Sequence, residues 1–97
     1  MSRDHWSPYA SAAFSQLQRA SLSVQLNIAE GYTFGSSPSF TRHLAIAFGS
    51  AVETIEIIEL LVEAGVVDQT MVSEMLRRAV SSRNLLTGML KERRKYQ

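Results

Sequence analysis

The sequence contains no cysteine and only two prolines in 97 residues. The lack of cysteine excludes a disulfide scaffold, a thiolate zinc site and a cysteine nucleophile. No uncharged apolar run approaches the roughly 20 residues that a membrane-spanning helix needs. The N-terminal residues also lack the apolar stretch of a secretory signal, so we expect a cytoplasmic protein.

Enzyme motifs are missing as well. There is no phosphate-binding glycine loop and no Gly-x-Ser-x-Gly element, and His5 and His43 stand outside any metal-ligand spacing. Glu53, Glu56 and Glu59 have the spacing of half a carboxylate metal site, but the histidine that would complete it is absent. We therefore predict no catalytic residue, no metal and no cofactor. A small metal-dependent enzyme would depend on these three glutamates alone.

What remains is a chain of ordinary globular composition, with 45% hydrophobic and 20% charged residues. The apolar residues recur with a period near 3.6, which is typical of helices and not of strands. We predict one all-α domain over residues 1–97, an up-and-down antiparallel helix bundle with three long helices. These helices are expected at about residues 9–30, 38–64 and 68–95.

Several residues are typical of helix ends. Gly31 and Gly65 stand where a helix-ending glycine is expected. Ser37 is suited to the N-cap of the second helix, with Pro38 at its first position, and Asp68 opens the third. The short connection at residues 65–67 predicts that the second and third helices are neighbours.

The predicted second helix is apolar on two sides. One stripe faces the core of the chain, and a second strip lies on the far side. Such a strip usually marks an interface. It predicts a homo-oligomer whose candidate interface residues are Ile46, Ile57, Leu60 and Leu61. The alternatives are cover by another helix of the chain and a loosely covered surface strip.

Charge is unevenly distributed along the chain. Residues 53–74 carry six acidic and no basic side chains, whereas residues 75–97 carry seven basic and one acidic. We expect Arg77 and Arg78 to pair with the glutamates of the second helix. The third helix is expected to bury its methionines as core residues. The C-terminal basic run complements the helix dipole and is also the candidate nucleic-acid-binding site; its members are Lys91, Arg93, Arg94 and Lys95.

A polar stripe follows the predicted first helix, at Arg19, Ser23, Asn27 and Glu30. With Gly31 it falls in residues 16–32, which resemble the characteristic segment of the four-helix-bundle proteins encoded in 23S ribosomal RNA intervening sequences. The family pattern is roughly Gln-Leu-x-Arg-Ala-x-x-Ser-x-x-x-Asn-Ile-Ala-Glu-Gly, and residues 16–31 match its specified positions. This family in turn looks related to the accessory variability protein of diversity-generating retroelements.

The resemblance implies a non-enzymatic bundle that assembles as a ring, a homopentamer, in which the polar stripe and Gly31 serve structure or assembly. It also implies a basic surface that binds nucleic acid and a reverse transcriptase as partner. The family has an additional helix before the region that is Trp6-Ser7-Pro8 here, so three helices are expected, with an open groove. The alternative function is a module whose open groove accepts a helix of a protein partner, without nucleic-acid binding.

Overall fold

The structure is a computed structural model that describes residues 8–33, 35 and 38–94. It contains three α-helices and, in those ranges, no strand: α1 at Pro8–Thr33, α2 at Pro38–Glu63 and α3 at Gln69–Arg94. The all-α prediction is thereby confirmed. The predicted N-cap Ser37 and the basic Lys95 lie outside the described residues, as does the side chain of Arg94.

The turn between α2 and α3 is built by the residues that the sequence indicates. Gly65 has a φ of 74°. Its amide donates to the carbonyl of Val62, and the amide of Val66 donates to that of Leu61, which together form a Schellman motif. Asp68 then caps α3, since its Oδ1 accepts hydrogen bonds from the backbone N and from Oγ1 of Thr70.

The predicted end of the first helix at Gly31 is wrong. Helix α1 continues to Thr33, and the glycine with positive φ beyond it is Gly35, at 63°. Gly31 is buried inside the helix, where an added Cβ would lie 3.3 Å from Cβ of His43 and 3.5 Å from the Phe40 ring. This glycine therefore serves the close approach of α1 to α2, and not a turn.

Helix α2 is the centre of the molecule, because it packs against both α1 and α3 while these two share no comparable contact. One core cluster joins Val24 and Leu86 to the first half of α2. A second cluster joins Leu17 and Val72 to Ile58 and the end of α2. The chain is elongated, 52 × 19 × 15 Å.

In cross-section the three helices form a chevron, with α2 at its apex and α1 and α3 as its two arms. Between the arms lies an open groove of about 470 Å³. Met71 and Met75 line this groove and are 59% and 41% exposed. The expectation that both methionines fill the core is therefore wrong, since no helix in the described chain covers this side of α3.

Candidate functional site

Polar side chains run along the edge where α1 meets α2. Asn27 Nδ2 donates to the carbonyl of Ser23 at 2.9 Å and to its Oγ at 3.1 Å. Ser50 Oγ, on α2, donates to the same Ser23 Oγ at 2.8 Å. His43 Nδ1 lies 3.0 Å from Asn27 Oδ1 and 3.8 Å from Glu30 Oε2. We call these five residues the polar seam.

The hydrogen bonds of the polar seam fix the tautomer of its histidine. Because the Asn27 amide nitrogen donates to Ser23, its Oδ1 faces His43, and an amide oxygen can only accept. His43 Nδ1 must therefore carry a proton and donate it. The imidazole is 13% exposed, so this bond is largely shielded from water and holds α1 to α2 in one register.

One member of the predicted polar stripe, Arg19, stands apart from this network. Arg19 Nη2 donates to Gln16 Oε1 at 3.2 Å, and Gln16 Nε2 donates to Glu53 Oε1 at 2.8 Å. Both bonds are exposed. Gly31 contributes space and not a side chain. Sequence reasoning missed His43 and Ser50 as partners of the stripe, although their spacing of seven places both on one side of α2.

The basic C-terminal end of α3 is less accessible than its sequence suggests. Arg93 Nε donates to Thr41 Oγ1 at 2.9 Å, and its guanidinium lies 5.0 Å from the centre of the Phe40 ring. Tyr32 meets the same ring edge-on, at 5.4 Å. Arg93 therefore fastens α3 to α2, and its role as a nucleic-acid ligand stays a prediction. Lys91 is exposed on the same helix.

The predicted pairing of Arg77 and Arg78 with the glutamates of α2 is also wrong. Both arginines bind Glu74 of their own helix, with nitrogen–oxygen distances of 2.6 and 3.0 Å. Residues three and four apart on a helix are neighbours, so Glu74 is within closer reach. Hydrogen bonds, the stronger from Arg77 and the weaker from Arg78, lower the pKa of Glu74 to about 2. In the described chain, Glu56 and Glu63 make no ion pair.

The far side of α2 presents a stripe that repeats every three or four residues. We call this stripe the outer face of α2, and its exposed members are Ile46, Gly49, Glu56, Leu60 and Glu63. Ile46 is 45% and Leu60 62% exposed. Of the two other residues predicted for this interface, Leu61 is a core residue at 3% exposure, which corrects its prediction. Ile57 is half-buried against the second core cluster.

The groove between α1 and α3 is a second surface with exposed apolar residues, and Leu22 and Leu26 on α1 are exposed as well. Val24 and Ala79 lie in it with the two methionines, and Arg78 lines it as well. Ser21 also lines the groove, and its Oγ is the one buried side-chain oxygen or nitrogen in the described residues that has no hydrogen-bond partner. A buried hydroxyl without a partner is unusual in a native protein.

Residues 8–33, 35 and 38–94 contain no group of three histidine, aspartate or glutamate side chains that could hold a metal ion. None of the three helices, as far as the structure describes them, has the length and hydropathy to cross a bilayer. The surfaces of interest are therefore the polar seam, the outer face of α2, the groove and the basic end of α3.

Comparison with protein families gives one finding. The family described as 23S rRNA-intervening sequence protein matches residues 9–88. The match includes the polar seam, the outer face of α2 and the groove. Comparisons with curated proteins and with solved structures each gave no match.

Proposed function

The chain belongs to the 23S rRNA-intervening sequence protein family, and we propose that it is a non-enzymatic, cytoplasmic scaffold that self-associates and binds nucleic-acid backbone. In this proposal the three helices form an up-and-down antiparallel bundle. Copies of the bundle meet through exposed apolar faces. The basic residues at the end of α3 are then repeated around the assembly, and five copies are expected from the family resemblance.

One observation carries self-association: the central helix α2 exposes Ile46 and Leu60 even though it is packed on both flanks. Met71 and Met75, one helical turn apart beside the groove, are exposed as well, and an exposed apolar patch marks an interaction site. Sedimentation velocity over a wide dilution range tests it. We expect the sedimentation coefficient to fall on dilution, and a monomer value at every concentration would contradict assembly.

Nucleic-acid binding is supported by charge. Residues 75–97 carry a net charge of +6, from seven basic and one acidic side chain. Arg77, Arg78 and Arg93 are engaged within the chain, whereas Lys91 is exposed near the end of α3. An assembly repeats this basic end in every copy. Binding of phosphates by such a surface releases counterions and does not depend on base sequence.

We expect labelled poly(U) RNA to bind the wild-type chain with an affinity that falls steeply between about 50 and 200 mM salt. Lys91→Glu should weaken binding and reduce the slope of log affinity against log salt by about one for each phosphate that is no longer bound. Arg19→Glu is the matched control, because it makes the same charge change on the exposed side of α1. Fluorescence anisotropy measures both. Equal weakening in the two variants, or binding that salt does not alter, would contradict the proposal.

A further inference from the structure

Helix α2 brings a further cation to the basic end of the molecule. Arg42 is exposed and makes no ion pair in the described chain. It falls between Thr41, which is bonded to α3, and His43, which is bonded to α1. Successive residues of a helix point about 100° apart. Arg42 therefore points away from both neighbouring helices, to the side on which the outer face of α2 lies.

The packing of α2 against α3 sets Arg42 level with Lys91. The start of α2 is bonded to the end of α3 through Thr41 and Arg93, whereas the end of α2 shares a core cluster with Val72 near the start of α3. Residue numbers therefore rise along α2 where they fall along α3. Both cations lie within two residues, less than one helical turn, of the bond between Thr41 and Arg93.

Lys91 points to the same side of the molecule as Arg42. It shares one face of α3 with Asn84 and Gly88, which precede it by seven and three residues. All three residues are exposed, and none of them lines the groove. The groove and the outer face of α2 lie on opposite sides of the chevron, so this face of α3 lies on the outer side. The acidic Glu92 lies about 100° further round α3.

Two short stripes with the same spacing begin at these two cations. Their members are exposed and, apart from the cations, small or uncharged: Arg42, Ala45 and Gly49 on α2, and Lys91, Gly88 and Asn84 on α3. Because the numbers run in opposite directions along the two helices, each member of one stripe is level with its counterpart in the other. We call these six residues the outer crease. Within the described chain, no atom lies within 4 Å of where a Cβ on either glycine would be.

The far end of the outer crease is positively charged as well. Arg83 Nη2 and Nε donate to Asn84 Oδ1 at 3.3 and 3.4 Å. These bonds hold the guanidinium beside Asn84. They also occupy the amide oxygen, so the side of Asn84 that is left for a ligand is its Nδ2, which can only donate. The outer crease thus has cations at both ends and an amide donor at one of them.

We propose that the phosphate backbone of a nucleic-acid strand lies along the outer crease. This inference rests on the proposed binding of nucleic acid and names its site. Arg42 and Lys91 hold phosphates at one end, and Arg83 and the Asn84 amide hold them at the other. The glycines leave room for close approach of the strand. Glycine inside a helix lowers its stability, and access for a ligand gives both glycines a purpose.

Neighbouring residues limit the site to this part of the molecule. Glu56 follows Gly49 by seven residues on the same side of α2, and it repels phosphates that reach further. Ile46 follows His43 by three residues and therefore lies on the side of α2 that is nearer α1. The outer crease does not include Ile46, so binding of a strand is compatible with contact between copies at that residue.

Charge reversal at Arg42 tests the inference, because the basic run of α3 does not include this residue. We expect Arg42→Glu to weaken the binding of labelled poly(U) RNA as strongly as Lys91→Glu does. It should also lower the slope of log affinity against log salt by about one, and the two changes together by about two. Arg19→Glu is the matched control on α1. All three residues are exposed, so the variants should fold, as helical circular dichroism will check.

A second pair of variants tests the crease without a change of charge. Gly49→Leu with Gly88→Leu fills its floor and should weaken the binding of poly(U) at every salt concentration. Ala12→Leu is the control, since Ala12 is exposed on α1 and far along the chain from the outer crease. Leucine favours helix more than glycine does, so the double variant should keep its helical circular dichroism.

Failure of the inference and failure of the proposed function give different results. If the wild type binds poly(U), and Arg42→Glu weakens binding no more than Arg19→Glu, the strand does not reach α2 and the inference is overturned while the proposed function stands. Full binding by the double leucine variant would overturn it as well. A wild-type chain that does not bind poly(U) at all would contradict the proposed function itself.

Discussion

Asn27 lies at the centre of the polar seam. It donates to Ser23 and accepts from His43, so it connects two helices through one amide. Partly buried polar groups that lose their partner cost far more than the bond itself contributes. The polar seam is therefore expected to act as a unit, in which the loss of the central amide affects both neighbours.

Replacement of Asn27 by alanine tests this expectation. Asn27→Ala removes the amide oxygen that accepts from His43 Nδ1 and one of the two donors to the Ser23 hydroxyl, at a cost of about 1–3 kcal/mol. Gln18→Ala is the control, because Gln18 is an exposed amide on the same helix. Urea unfolding measures both. An equal, small decrease in stability in the two variants would show that the polar seam contributes little.

Replacement by alanine is predicted to change the stability of the chain in opposite directions at two glycines inside helices. Gly88→Ala should stabilise the chain by up to about 1 kcal/mol, because its Cβ meets nothing within 4 Å. Gly31→Ala should destabilise it despite the same gain in helix propensity, since its Cβ would press on His43 and Phe40. His43 is held by Asn27, and the Phe40 ring lies under Arg93. Thermal unfolding measures the sign of the stability change for each variant, and stabilisation by Gly31→Ala would contradict this packing.

At the scale of the elements, α3 is stabilised by contacts near both of its ends. It has no comparable contact with α1, so its attachment is to α2, with Arg93 fastened to Thr41 at one end and the Asp68 cap at the other. The hydrogen bond from the Thr70 backbone lowers the pKa of the Asp68 carboxyl below its ordinary value. The charged carboxylate is therefore the form that stabilises the helix start.

The Asp68 cap predicts a pH dependence. A carboxyl whose pKa is lower in the folded state stabilises the chain above its unfolded pKa. This stabilisation is lost as pH falls through the folded pKa. Asp68→Ala should therefore lower the melting temperature at neutral pH, and the difference from wild type should shrink in strong acid. Melting curves at neutral pH and in strong acid check this. A difference in melting temperature between Asp68→Ala and wild type that stays constant with pH would contradict the role of the charged carboxylate.

Local signals predicted the helices well and their surroundings less well. The Schellman glycine Gly65 and the cap Asp68 act through the nearest turn, so their sequence context was sufficient. The prediction for Gly31 was wrong because its role depends on a residue of another helix. Leu61 was predicted at an interface and lies in the core, whereas Met71 was predicted in the core and is exposed. Periodicity defines a face of a helix but not which neighbour covers it.

Prediction of the candidate sites from the sequence is limited in the same way, because the partners come from other helices. The polar stripe was predicted from spacing in α1, but its partners His43 and Ser50 come from α2. The basic run at the end of α3 was visible as charge, and nothing in that run predicts that Arg93 is held by Thr41 and Phe40. Charge can be counted along a sequence, whereas its accessibility depends on the packing of distant residues.

At the scale of the whole molecule, the chain is a chevron with an apolar surface on each side. Met71, Met75 and Leu85 are exposed along α3, and Ile46 and Leu60 along α2. A chain of this size buries a smaller fraction of its surface on folding than a larger domain does. Assembly would cover both surfaces and add to the stability of every copy. We therefore expect the stability of the fold to rise with protein concentration.

The absolute mass in solution, measured by light scattering behind a sizing column, tests self-association most directly. The measurement is made on the wild-type chain at low and at moderate salt, because apolar contacts should survive salt that weakens nucleic-acid binding. We predict a mass several times 10.8 kDa at both salt concentrations, five times if the family resemblance extends to stoichiometry. A single species of 10.8 kDa would contradict the account.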